Sequence, residues 1–174
     1  MTVPTDNPAP VQERIEVSRA IAADPAAIFA LISDPAGHVT IDATGMLMAA
    51  SGDTPKAAGD TFVVHMDRDS LRDFDIGEYD VVVTYLTYDK DRELAWTVGM
   101  APGQNFGHVY GYRLEPIDGG TLVTHYYDWS AITDDIKSFA TFPVISETAL
   151  RATLGILART VAPGAKRPAE SAAG

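Results

Sequence analysis

The chain has 174 residues, 46% of them hydrophobic and 21% charged, which suits one globular domain with a sizeable core. Its 24 acidic residues outnumber 13 basic ones, and the resulting formal charge of −11 argues against nucleic acid and anionic membranes as partners. There is no cysteine, so disulfides, thiolate catalysis and cysteine-ligated zinc or iron–sulfur centres are excluded.

Met1–Gln12 carries three prolines and lacks the basic start and apolar run of a signal peptide. It reads as part of a disordered tail over residues 1–13. The alternation of Ile15, Val17, Arg19 and Ile21 with Glu16, Ser18 and Ala20 predicts a strand from Arg14. Asp24-Pro25 then supplies a cap residue followed by proline at the first helical position, and Ile28, Phe29, Leu31 and Ile32 make an apolar stripe. Asp34-Pro35 repeats the signal, so a second short helix follows, ending near Ile41.

Strand patterns cover Met46–Ala50, Thr61–Met66, Tyr79–Tyr88 and Glu93–Met100. Two more, Gly107–Glu115 and Thr121–Trp129, flank Asp118-Gly119-Gly120, a hairpin signal because glycine tolerates positive φ. Short turns between successive strands imply antiparallel pairing. Ser146 is placed to cap a helix with Leu150, Leu154, Leu157 and Val161 on one stripe, ended by Pro163-Gly164. Residues 163–174 read as a second disordered tail, leaving one domain over 14–162. No apolar run approaches the ~20 residues that cross a bilayer. The expectation is a cytoplasmic protein without membrane insertion.

This order, β-α-α, five or six strands, then a long helix, resembles the START-like or SRPBCC superfamily, also called the helix-grip or Bet v 1-like fold. The strings IEVSRAIAADPAAIFALISDP (15–35), RELAW (92–96), YGYRLEPIDGGTLVTHYYDW (110–129) and SETALRATLGILARTV (146–161) look like its bacterial polyketide cyclase/dehydratase-type members. The resemblance implies an α+β fold in which a curved antiparallel sheet wraps around a long C-terminal helix, with a cavity between them. It carries over no common catalytic signature. The histidine–carboxylate site of the superfamily's iron-dependent oxygenases has no counterpart here, so neither metal nor cofactor is expected.

A curved sheet covered by one narrow helical stripe leaves volume for large side chains or a ligand. The inward faces are assigned as Phe62, Val64 and Met66; Leu94, Trp96, Val98 and Met100; His108, Tyr110, Tyr112 and Leu114; and Val123, His125, Tyr127 and Trp129. The expected ligand contacts are Phe62, Val64, Met66, Trp96, Tyr110, Tyr112, His125, Tyr127, Leu150 and Leu154. The ligand expected is a small hydrophobic molecule: lipid, aromatic or polyketide-like. His125 is the candidate for proton transfer, with His108 at the rim. His38 and Asp42 read as a surface pair or cap. Asp67–Asp75 reads as a self-paired charge run, or a loop over the cavity mouth with an arginine for an anionic group.

Three functions follow in order: a carrier of such a molecule, a cyclase or dehydratase (a lyase or isomerase) acting on it, and a co-chaperone-like protein-interaction module. A homodimer through sheet edges or helices is compatible with the pattern.

Overall fold

The structure, a computed structural model, describes residues 11–171; the parts of the expected tails at 1–10 and 172–174 lie outside the described residues. Its elements run β1 (Arg14–Ile21), α1 (Pro25–Ile32), α2 (Pro35–Ile41), β2 (Leu47–Ser51), β3 (Thr61–Asp67), β4 (Glu78–Asp89), β5 (Glu93–Gly99), β6 (Val109–Ile117), β7 (Gly120–Asp128), α3 (Asp134–Lys137) and α4 (Glu147–Val161). A single 3₁₀ turn spans Asp69–Leu71.

The two proline signals set the helix pair. Each proline lacks the N–H that a first-turn residue leaves unpaired anyway, and each forces the preceding aspartate to extended backbone. Asp24 and Asp34 occupy the cap positions, but neither side chain makes a capping hydrogen bond. α1 buries Ile28, Phe29 and Ile32. In α4 the expected cap is made: Ser146 Oγ accepts from the Ala149 N–H at 3.1 Å, and Arg151 pairs with Glu147 one turn away. Leu150, Leu154 and Leu157 are buried on its inner face, and Thr153 joins them.

All seven strands form one antiparallel sheet in the order β1-β7-β6-β5-β4-β3-β2. Register shifts in β2 and β4 add curvature at the β2–β5 side. The β6–β7 hairpin closes on Asp118-Gly119, with Gly119 at φ 79° and Ile117 paired to Gly120. Both strands therefore run closer to the turn than the sequence pattern alone suggests. α4 lies across the concave face against β1 and β7, and α1 and α2 close the space beside it. Among the described residues no helix is long and apolar enough to cross a membrane.

Gly37 lets α2 start directly against the end of α1, because a Cβ there would sit 1.8 Å from the Leu31 carbonyl oxygen. Backbone cannot yield as a flexible side chain does. Gly37→Ala is expected to cost about 1–3 kcal/mol. Gly155→Ala, in α4 with nothing within 4 Å, is expected to gain about 0.5–1 kcal/mol. Urea denaturation of both variants checks the pair; equal stability of Gly37→Ala and wild type would contradict the close approach.

Candidate functional site

The register of three neighbouring strands builds the wall of the site. Trp96 on β5 stands opposite Tyr110 on β6, which stands opposite Tyr127 on β7. One row along, Leu94, Tyr112 and His125 are aligned in the same way. Cross-strand neighbours on one face are close enough to stack. Tyr110 and Tyr127 have ring centroids 4.5 Å apart, and Tyr112 and His125 4.1 Å, each pair stacked with nearly parallel rings. Trp96 lies 5.9 Å from Tyr110 and 5.7 Å from Tyr112, joining the two rows.

Between this wall and α4 lies a cavity of about 380 Å³, within the usual range for small-molecule sites. Val64, Met66, Trp96, Tyr110, Tyr112, His125 and Leu150, all expected contacts, line it. Phe62, Tyr127 and Leu154 are buried but are not part of its surface. Phe62 instead backs the wall against His38 and Tyr85, and Tyr127 backs Tyr110. Trp129 is buried against Tyr127 rather than in the lining. Met100 lines the cavity while remaining largely exposed, which places it at the mouth.

His125 donates from Nδ1 to the Gly111 carbonyl oxygen at 2.9 Å, since a carbonyl can only accept. In the neutral ring Nε2 is then an acceptor. Among the described residues it has no protein partner, and it is not sealed from solvent, so it opens to the cavity that the ring lines. The Tyr112 hydroxyl is likewise without a partner among the described residues and unsealed. Gly111 fits here because it turns away from the wall, where a Cβ would meet the Tyr126 ring at 2.3 Å.

His38 differs from its expected surface role. It is buried, edge-on to Trp96 at 4.8 Å, and its Nε2 lies 3.2 Å from the Tyr85 hydroxyl. That hydroxyl donates to the Ser33 carbonyl, so the His38 Nε2–H must donate to it. Asp42 does act as a local cap: its carboxylate accepts from Thr44 N–H and Oγ1 and from Leu47 N–H. The four-residue spacing was visible, but the direction of α2's inner face required the sheet. His108 shares a 2.8 Å hydrogen bond through Nδ1 with the Tyr127 hydroxyl and lines the cavity.

Asp67–Asp75 is a self-paired charge run, as one of the two expectations had it, and it borders the cavity through Arg68. Arg68 is held in a two-pronged pair by Asp73, at 2.9 and 2.7 Å, and donates to the Tyr79 hydroxyl at 3.0 Å. Its guanidinium also lines the cavity. A further part of the lining escaped the sequence reading altogether. Residues 130–145 contribute Ile136, Ala140, Phe142, Val144 and Ile145, mostly from irregular backbone. The available signal was the density of apolar residues in a segment without periodicity.

The histidines and tyrosines of the interior are uncharged, and the one carboxylate among the lining residues, Asp42, is held by the Thr44 and Leu47 donors. Burial lowers His125 to about 4, and burial aided by nearby His125 does the same for His38. Burial, then the Arg68 charge, lowers His108 to about 4. Burial pushes the Tyr112 hydroxyl well above its usual range, so it stays protonated. Arg68 is neutralised by Asp73. Among the described residues no three His, Asp or Glu side chains gather in a metal-binding group.

A histidine lowered in the fold binds a proton more readily when unfolded, so stability falls as pH drops from the ordinary 6.5 toward 4. Each fully buried ring contributes on the order of 3 kcal/mol across that window. Exposed His65 is raised by Asp80 and Glu78 and acts in the opposite sense. Urea titrations at pH 7 and 4.5 are expected to show a marked loss in wild type and a shallower one in His125→Gln. Parallel losses would mean that His125 is not held neutral.

The family described as "Polyketide cyclase / dehydrase and lipid transport" matches residues 12–162, nearly the whole described chain. No curated protein sequence matches it. Similar solved structures include protein Ms6760 from Mycobacterium smegmatis, 13% identical with a TM-score of 0.59 over 89% of this chain and 94% of that one. A Mesorhizobium loti protein is 16% identical with a TM-score of 0.59, covering 88% and 99% of the two chains. The AHSA1-like protein from Aeromonas hydrophila is 15% identical with a TM-score of 0.54, covering 85% and 91%. At these identities the structures establish the helix-grip fold alone. The family match, the fold and the cavity together make this chain a member of the polyketide cyclase/dehydrase and lipid transport family within the SRPBCC superfamily.

Proposed function

We propose that the protein takes up an uncharged, mainly apolar small molecule carrying one or two oxygens, and holds it between the sheet and α4. The observation that carries this reading is the cavity itself, open and walled by stacked rings. Its volume corresponds to roughly a dozen waters, which favours a compact aromatic or polyketide-like molecule over a long-chain lipid. The histidines on its wall are held neutral, Arg68 is paired with Asp73, and the Asp42 carboxylate is taken up by three donors, so an anionic ligand would lose its hydration without gaining a free counter-charge. The Tyr112 hydroxyl offers a proton and His125 Nε2 accepts one, which suits a hydroxyl or carbonyl on the ligand.

That same pair supports the second reading, a cyclase or dehydratase in which His125 moves a proton. It ranks lower for a physical reason. A general base works best with a pKa near the working pH, whereas His125 is lowered to about 4 and has no carboxylate to support it. An open cavity gives little support to the interaction-module reading.

Native mass spectrometry of the purified protein is expected to show a small neutral adduct, and naphthol, a neutral aromatic alcohol, is expected to bind. Thr153→Trp, which fills the cavity from α4, should weaken naphthol at least about tenfold, or 1.4 kcal/mol, with the circular dichroism spectrum unchanged. Absence of both adduct and naphthol binding in wild type would overturn the carrier reading. Turnover of the recovered compound by wild type, abolished in His125→Phe, would move the assignment to the enzyme.

A further inference from the structure

Arg19 is the residue that the cavity leaves unexplained. It sits in the apolar set of β1, between the buried Val17 and Ile21 and opposite buried Val123. Its Nε is sealed from solvent and has no hydrogen-bond partner among the described residues. No carboxylate lies within ion-pair distance of it among the described residues. A sealed, unpartnered donor on a charged group is costly and rare; being sealed, Nε does not itself face the space beside it, which other atoms of Arg19 border.

The space beside it supplies the setting. A second pocket of about 130 Å³ lies between β1 and the C-terminal half of α4, sharing no lining residue with the large cavity. Arg19 reaches it from the strand, Arg159 from the last turn of α4, and Arg167 from the chain beyond the helix. No acidic side chain lines it. Arg167 is paired with Glu170, while Arg159 has no ion pair among the described residues. The carboxyl end of α4 carries about half a negative charge, which leaves the two unpaired guanidinium charges in clear excess. In a chain of net charge −11, three of 13 basic residues gather around one pocket, and the two without an ion pair repel one another unless an anion joins them.

We propose that this pocket binds a phosphate group. Its volume, roughly that of four waters, fits one oxyanion, and its opening leaves room for whatever the phosphate is attached to. Three guanidiniums arriving from strand, helix and coil can each meet a different oxygen of a tetrahedral anion, which the two oxygens of a carboxylate cannot provide. This site stands independently of the ligand in the large cavity.

The test is thermal unfolding of the full chain in inorganic phosphate against chloride at equal ionic strength, with phosphorus NMR to follow binding. Wild type is expected to gain a saturable rise in Tm in phosphate only. Arg19→Met keeps the stem and removes the sealed Nε–H together with a guanidinium that makes no protein hydrogen bond among the described residues, so its phosphate-free Tm should match or exceed that of wild type. Its phosphate affinity should drop about tenfold or more, the loss expected for a charged hydrogen bond. Arg159→Gln, on the exposed side of α4, should weaken phosphate without touching the core. A wild-type response equal in chloride, or an undiminished phosphate response in both variants, would overturn the proposal. Glycerol phosphate and vesicles of phosphatidic acid in phosphatidylcholine separate the sources. Binding to vesicles that is lost in Arg19→Met assigns a lipid headgroup, and binding to the soluble phosphates alone assigns a soluble ligand. Vesicle binding unaffected by Arg19→Met, with no phosphate titration, would again overturn it.

Discussion

The β6–β7 register is the constraint on which the cavity depends. It sets Tyr110 against Tyr127 and Tyr112 against His125, with all four rings on the concave face. Side chains alternate along a strand, so a one-residue slip would turn this wall to solvent and bring Gly111, Arg113 and Tyr126 inward. Two local features guard against the slip. The two-residue turn at Asp118-Gly119 fixes the hairpin, and on the outer face the Tyr126 ring occupies the space above Gly111. There Arg14 and Arg113 lie over the ring, and its hydroxyl donates to Glu93. The inner wall is thus held in place by packing on the outer face.

Burial then determines the chemistry of that wall. Histidines and tyrosines are amphipathic, and an apolar environment keeps them uncharged. The one strong cation at the mouth, Arg68, is tied to Asp73. With Asp42 held by neighbouring donors, the site offers shape and one or two hydrogen bonds but no free cation for an anionic group. This favours neutral cargo and disfavours acid–base chemistry near neutral pH. The arginine pocket at the other end of β1 has the opposite character, with charge in excess and an unpaired donor. Two sites of such different chemistry coexist because α4 covers both, presenting Leu150 and Thr153 to one and Gly155 and Arg159 to the other.

Much of the fold was legible in the sequence because its signals are local. Proline at a helix start, an alternating strand, a glycine turn and a serine cap each act within a few residues, and each element appeared where its signal lay. The inward faces of β3, β5, β6 and β7 were legible for the same reason, since period-two alternation fixes a side chain's direction once the apolar face is known. What local signals could not supply was depth. Phe62, Tyr127 and Leu154 face inward as expected, yet they stand behind the lining, and only the curvature of the sheet separates a wall residue from its backing.

The same limit explains His38 and residues 130–145. Four-residue spacing with Asp42 says that two side chains share a helix face, but whether that face meets water or Trp96 depends on β3, β4 and β5 beneath it. Irregular backbone carries no period, so Phe142 and Ile145 could not be given a side until α4 and the sheet closed around them. By itself, then, the sequence determined the order of the main elements, the place of the hairpin turn and an aromatic inner face, because these follow from the chain's own dihedrals and alternation. Only the tertiary structure decided which of those residues touch the cavity, which histidines stay neutral, and that Arg19 lacks a partner. Each of these depends on atoms distant in sequence that exclude water together.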